Sequence, residues 1–65
     1  MLGWRWAGRT ARVTQEIDSA GGRIRMGADE WTARSQHSGE RFAVGDTVRI
    51  LQVEGATAVV GDPLE

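Results

Sequence analysis

Glycine interrupts this chain too often for a long helix. Nine glycines are spread over 65 residues, and no stretch sustains apolar residues at the i, i+3, i+4, i+7 spacing of an amphipathic helix. The segments between the glycines alternate instead. From 10 to 18 the sequence is TARVTQEID: Ala11 and Val13 share one face, Arg12, Thr14 and Glu16 the other, and Ile17 joins the apolar side after a slip. Residues 19–22 are a cluster of turn formers. Ile24 and Met26 alternate with Arg23 and Arg25, and after a turn at 27–29, Trp31 and Ala33 alternate with Thr32 and Arg34. Two runs joined this tightly predict an antiparallel hairpin.

Residues 35–45 break the pattern. Phe42 and Val44 are their large apolar residues and are expected to cap one end of a core. Val48 and Ile50 then share one parity, Leu51 and Val53 the other. That switch predicts a bulge, or a strand end buried on both sides. Glu54-Gly55 is a turn, 57–60 is the last run, and Gly61-Asp62-Pro63 stops it.

Five short strands and no helix make the chain all-β. A sheet this small must curl on itself to avoid unpaired edges. The predicted fold is a small five-stranded antiparallel barrel of the OB type, its usual helix reduced to the loop 35–45; an SH3-like barrel is the alternative. The expected core is Val13, Ile17, Ile24, Met26, Trp31, Ala33, Phe42, Val44, Val48, Ile50, Val53 and one of Val59 and Val60. The barrel is placed at 8–62, after an N-terminal segment 1–7 and before a tail 63–65. Leu64-Glu65 reads as a cloning remnant ahead of a purification tag.

Size makes such a barrel marginal, because a domain of about 60 residues buries only ~60% of its unfolded surface. The chain has no cysteine, so neither a disulfide nor a thiolate metal site can staple it. His37 is the single histidine. No metal or cofactor site is expected. No apolar run approaches the ~20 residues that span a bilayer. The formal net charge is −1 and all eight basic residues are arginine. That balance argues against strong nonspecific nucleic-acid binding, while arginine suits bidentate contacts with carboxylate or phosphate.

No catalytic constellation emerges, and the chain reads as non-enzymatic. Ser19, Ser35 and Ser38 lack a G-x-S-x-G context, and a triad would have to recruit His37 from a glycine-flanked loop. Asp29 and Glu30, adjacent in a strand, point to opposite faces, which is wrong for shared acid–base work. Gly21-Gly22 has no following helix to form a phosphate loop and reads as a hairpin turn.

The candidate partner surface is Arg23, Arg25 and Arg34, on the exposed face of the hairpin. OB folds often bind ligands on the equivalent face. The plainer reading is a solvated face on which Arg23 and Arg25 pair across strands with Glu16 or Asp18. A single-stranded nucleic acid would need aromatic platforms there, and Trp31 has the parity of Ile24 and Met26. Trp4, Arg5 and Trp6 form a second candidate, a membrane-proximal segment whose residue types suit the headgroup level; a tail or edge strand is the plainer reading.

The order of motifs adds a resemblance. Gly8-Arg9-Thr10-Ala11-Arg12-Val13 opens the first strand. Gly22-Arg23-Ile24-Arg25-Met26-Gly27, Glu30-Trp31-Thr32-Ala33-Arg34, Gly45-Asp46-Thr47-Val48-Arg49-Ile50 and Val53-Glu54-Gly55 follow. In that order and at those gaps, the chain from Gly8 to Val60 resembles the C-terminal soluble domain of the NfeD family, with Glu30-Trp31-Thr32-Ala33 its most telling fragment. Trp4-Arg5-Trp6 departs from the family pattern. The resemblance implies a five-stranded OB-type barrel that follows hydrophobic spans in a membrane protein; the cytoplasmic face is the expected location. It implies protein–protein assembly with stomatin- or flotillin-like membrane partners and a part in regulating membrane protease activity; self-association, an edge or face contact with another copy of the chain, is a separate expectation. Longer family members add a ClpP-class serine-protease domain, for which 65 residues leave no room. The rival function is a single-stranded nucleic-acid-binding OB module.

Overall fold

The computed structural model describes residues 8–63. Five strands account for most of them: β1 (Thr10–Asp18), β2 (Gly21–Met26), β3 (Asp29–Ser35), β4 (Thr47–Glu54) and β5 (Thr57–Gly61). They close into a barrel in the order β1-β2-β3-β5-β4. The expected all-β, OB-type barrel is therefore found, with one refinement. β1–β2, β2–β3, β4–β5 and β1–β4 are antiparallel, but β3 and β5 run parallel. Parity requires it: around a closed ring with an odd number of strands, directions cannot alternate at every neighbour.

Alternation fills the interior. Ile17, Ile24, Ile50, Val13, Val48 and Val60 are the largest fully buried side chains, each contributing about 1.5–3 kcal/mol by removal from water. Ala11, Met26, Ala33, Phe42 and Ala58 complete the cluster, and Trp31 and Val53 pack against it while partly exposed. Val44 does not belong there, being 64% exposed. It sits at the tip of a turn closed by the bond from Asp46 N to Ala43 O (3.0 Å), so its side chain projects outward.

The strands reach these positions through bulges. The register of β1 on β2 shifts between Val13 and Gln15 and again between Gln15 and Asp18, which is the slip that brings Ile17 inward. The register of β4 on β5 shifts between Ile50 and Gln52, where the parity of apolar residues switches. Gly22 is tied to the first of these features. It lies in β2 rather than in a turn, and a Cβ there would meet Glu16 O at 2.4 Å and Gln15 O at 2.6 Å. Only a residue without a side chain lets the kinked β1 backbone come this close.

The loop after β3 repairs an incomplete seam. β1 pairs with β4 only from Thr10 to Arg12. Beyond that, Val13 exchanges backbone bonds with Asp46 O and Gly45 N (both 2.9 Å), and Ile17 with Phe42 (2.9 and 3.0 Å). The loop thus stands in for a strand, and Phe42 is buried as its plug.

Candidate functional site

The outward face of β1, β2 and β3 carries the charged side chains that alternate with the core. On it, Glu30 gathers two strands at once. Its carboxylate accepts a hydrogen bond from Thr14 Oγ1 of β1 at 2.7 Å and another from Arg23 Nη1 of β2 at 3.1 Å. These bonds, Thr14 first, together with the positive charges of Arg23 and Arg25, hold the Glu30 carboxyl below its ordinary pKa. Further around the outside of the barrel, Arg34 Nη2 donates to Glu54 Oε1 at 2.6 Å.

Two of the three sequence-predicted surface arginines, Arg23 and Arg34, are therefore engaged, Arg23 with neither of the carboxylates expected for it. Arg23 pairs with Glu30; Glu16 instead takes Arg41 at 3.5 Å, and Asp18 accepts from the Ala20 amide in its own turn at 2.9 Å. Arg25 is different. It is exposed, and among the described residues no carboxylate lies within ion-pair distance of it. Its register partner on β1 is Arg12, which is likewise exposed and without an ion pair among the described residues. Both line a depression of about 360 Å³ together with Thr10, Ala11, Gly27 and Thr47. Gly27 is there because the turn needs it: Met26 and Asp29 are register partners, and the first residue of their two-residue connection has φ of 63°, as a type II′ hairpin requires.

Arg12 was not among the residues the sequence singled out. Counting back from Asp18 opposite Gly21 along an unbroken ladder puts Arg12 opposite Gly27; the two bulges of β1 move it to Arg25.

A second depression, about 150 Å³, is lined by Asp18, Ser19, Arg34, Ser35, His37, Ser38 and Gly39. It gathers the residue types of a hydrolytic triad. Ser35 Oγ donates to Glu40 O at 3.1 Å, however, and the Asp18 carboxylate caps its own turn, so these groups hold the loop. Trp31 stands opposite Ile24 and packs against the core, which removes it from the outer face as an aromatic platform. Trp4, Arg5 and Trp6 lie outside the described residues.

A family model described as the NfeD-like C-terminal, partner-binding domain matches residues 5–61. The chain belongs to the NfeD family. Solved structures agree with that membership over nearly the whole NfeD domain. The soluble domain of a membrane protein implicated in regulation of membrane protease activity, from Corynebacterium glutamicum, superposes with a TM-score of 0.87 at 28% identity, covering 92% of this chain and 95% of that one. The C-terminal domain of stomatin operon partner protein 1510-C from Pyrococcus horikoshii gives a TM-score of 0.80 at 28% identity, covering 89% and 88%. No curated protein matches the chain. The resemblance carried by Glu30-Trp31-Thr32-Ala33 and the glycines around it thus leads to the right family. In this NfeD domain no helix of the described residues is long and apolar enough to cross a membrane.

Proposed function

We propose that this domain is a non-catalytic docking module of an NfeD-type membrane protein. It binds a stomatin- or flotillin-like membrane protein on the cytoplasmic side and so takes part in regulating membrane protease activity. The observation that carries the reading is the match of residues 5–61 to a partner-binding domain, supported by the names of the two structural neighbours. Barrel closure adds a physical condition. With every strand paired on both sides, and residues 42–46 covering the rest of β1, no edge among the described residues is free for strand addition. The partner therefore meets outward side chains rather than backbone.

Affinity capture from detergent-solubilised membranes with this chain as bait tests the proposal. A stomatin- or flotillin-like protein should be enriched over bait-free resin. Repeated capture without any membrane protein of that class would overturn it, and turnover of a generic peptide or ester substrate would overturn the non-catalytic part.

A further inference from the structure

We infer that Arg12 and Arg25 form a receptor for the carboxylates of an acidic peptide segment on the protein partner. The inference rests on the docking reading above and adds the chemistry of the contact.

Two like charges are set side by side on the outer face. Arg12 and Arg25 are directly opposite each other on adjacent antiparallel strands, where like charges repel. The chain has the means to neutralise them, since its nine acidic residues outnumber its eight basic ones. It spends those acids elsewhere: Arg23 has Glu30, Arg34 has Glu54 and Arg41 has Glu16. Glu30 stands opposite Arg25 on β3 and feels its charge, but its oxygens are taken by Thr14 and Arg23, and among the described residues no carboxylate comes within ion-pair distance of Arg12 or Arg25.

The surroundings suit an incoming anion. Arg12 and Arg25 line a depression of about 360 Å³ together with Thr10 and Thr47, which carry hydroxyl groups, and Gly27, which adds no side chain. Thr47 is the register partner of Arg12 on β4, so donors from three neighbouring strands border one concavity. Guanidinium forks bind carboxylates through paired, charge-assisted hydrogen bonds.

The same features favour a peptide over nucleic acid. Among the described residues, no aromatic side chain lines the depression to give bases a platform for stacking. The chain as a whole carries a net charge of −1, not the basic excess of a domain that follows a phosphate backbone.

The test is fluorescence anisotropy at low salt with a short labelled poly-glutamate peptide, a poly-glutamine peptide of equal length, and oligo(dT). The wild-type chain should bind poly-glutamate and neither of the others. Arg12→Glu/Arg25→Glu should weaken that binding at least ~10-fold, the loss of strong charge-assisted contacts, while Arg41→Ala leaves it unchanged. Arg12→Gln/Arg25→Gln, which removes the charges without reversing them, should also lose binding while keeping a cooperative melting transition, so that unfolding is not the cause. No poly-glutamate binding, equal binding by the glutamine variant, or tighter binding of oligo(dT) would each overturn the inference. Membrane capture separates the two levels. If the glutamine variant recovers the membrane partner as well as wild type, this receptor is wrong and the docking function stands; if wild type recovers none, the docking function itself fails.

Discussion

Arg34 and Glu54 join hands over a strand to which neither belongs. Arg34 is on β3 and Glu54 on β4, and β5 runs between them, yet Nη2 and Oε1 are 2.6 Å apart. Beneath this bridge lies Val59, whose register partners are Arg34 and Gln52. By alternation with Ala58 and Val60 it points outward, but it is only 3% exposed. Gln52 Nε2 donates to the second Glu54 oxygen at 2.9 Å, so the polar chain borders Val59 on both sides. The aliphatic stem of Arg34 is placed to shield it.

The bridge is half exposed, at 50% and 51% for the two side chains. A double-mutant cycle with Arg34→Ala and Glu54→Ala should therefore give a coupling of only about 0.2–1 kcal/mol, shrinking in high salt. Arg34→Met, which keeps most of the apolar stem beside Val59, should destabilise less than Arg34→Ala in urea denaturation. Equal losses would mean that the stem covers nothing.

Trp31 should matter less than its size implies. A fully buried tryptophan cut to alanine costs about 3–5 kcal/mol, but Trp31 is only partly buried against the core. Trp31→Ala is expected to cost about 2 kcal/mol and to leave a folded domain with a lower urea midpoint. Ile50, fully buried, should cost more on truncation, about 2–5 kcal/mol. For a domain this small that approaches the whole folding free energy, so Ile50→Ala should show no cooperative transition. The reverse ranking would place the weight of the core at Trp31.

The contrast shows what the sequence made legible. Val13, Ile24, Met26, Val48 and Ile50 follow from period-2 alternation, which is local. The bulge between Ile50 and Gln52 follows from a switch of parity, also local. The parallel meeting of β3 with β5 is not local: no turn joins the two strands, and only closure of the ring forces their direction. The Arg12–Arg25 contact was hidden because each bulge shifts the register of everything beyond it, and two of them separate Arg12 from the hairpin turn. Partner choice on the surface fails for the same reason. Glu30 rather than Glu16 receives Arg23 because side chains meet across a register that residue type does not encode. Val44 has the apolarity of a core residue, but the turn that exposes it is fixed by a backbone bond.

Glu30 should make stability depend on acid pH. Its folded pKa is lowered, first by the Thr14 hydrogen bond and then by Arg23. A carboxyl with a lowered folded pKa stabilises the native state when ionised. That contribution is fully present above the ordinary glutamate range and is lost as pH falls through the lowered value. Glu30→Gln should consequently lower the urea midpoint at neutral pH, and its difference from wild type should shrink as pH drops through the acid range. Thr14→Val should remove part of the same dependence and bring the Glu30 titration, followed by NMR, closer to its ordinary value. An unchanged titration in Thr14→Val would show that the hydroxyl does not hold the carboxylate.

Gly22 is the position where a single methyl group tests the bulge itself. A Cβ there would lie 2.4 Å from Glu16 O, 2.6 Å from Gln15 O and 2.8 Å from Glu16 C. All three are backbone atoms, so no side chain can swing aside to relieve the contact. Either β1 straightens or β2 moves away. If β1 straightens, the slip that turns Ile17 into the core is lost, and with it the Ile17–Phe42 bridge that seals the seam. Overpacking against rigid neighbours costs about 1–3 kcal/mol. Gly22→Ala should destabilise by that amount or more, although alanine is ordinarily no worse than glycine in a strand. Hydrogen exchange should locate the damage: the Ile17 and Phe42 amides should lose protection ahead of the β3–β5 pairing. Uniform loss across the barrel would mean that the bulge and the seam are not coupled, and that Gly22 serves only the local approach of two strands.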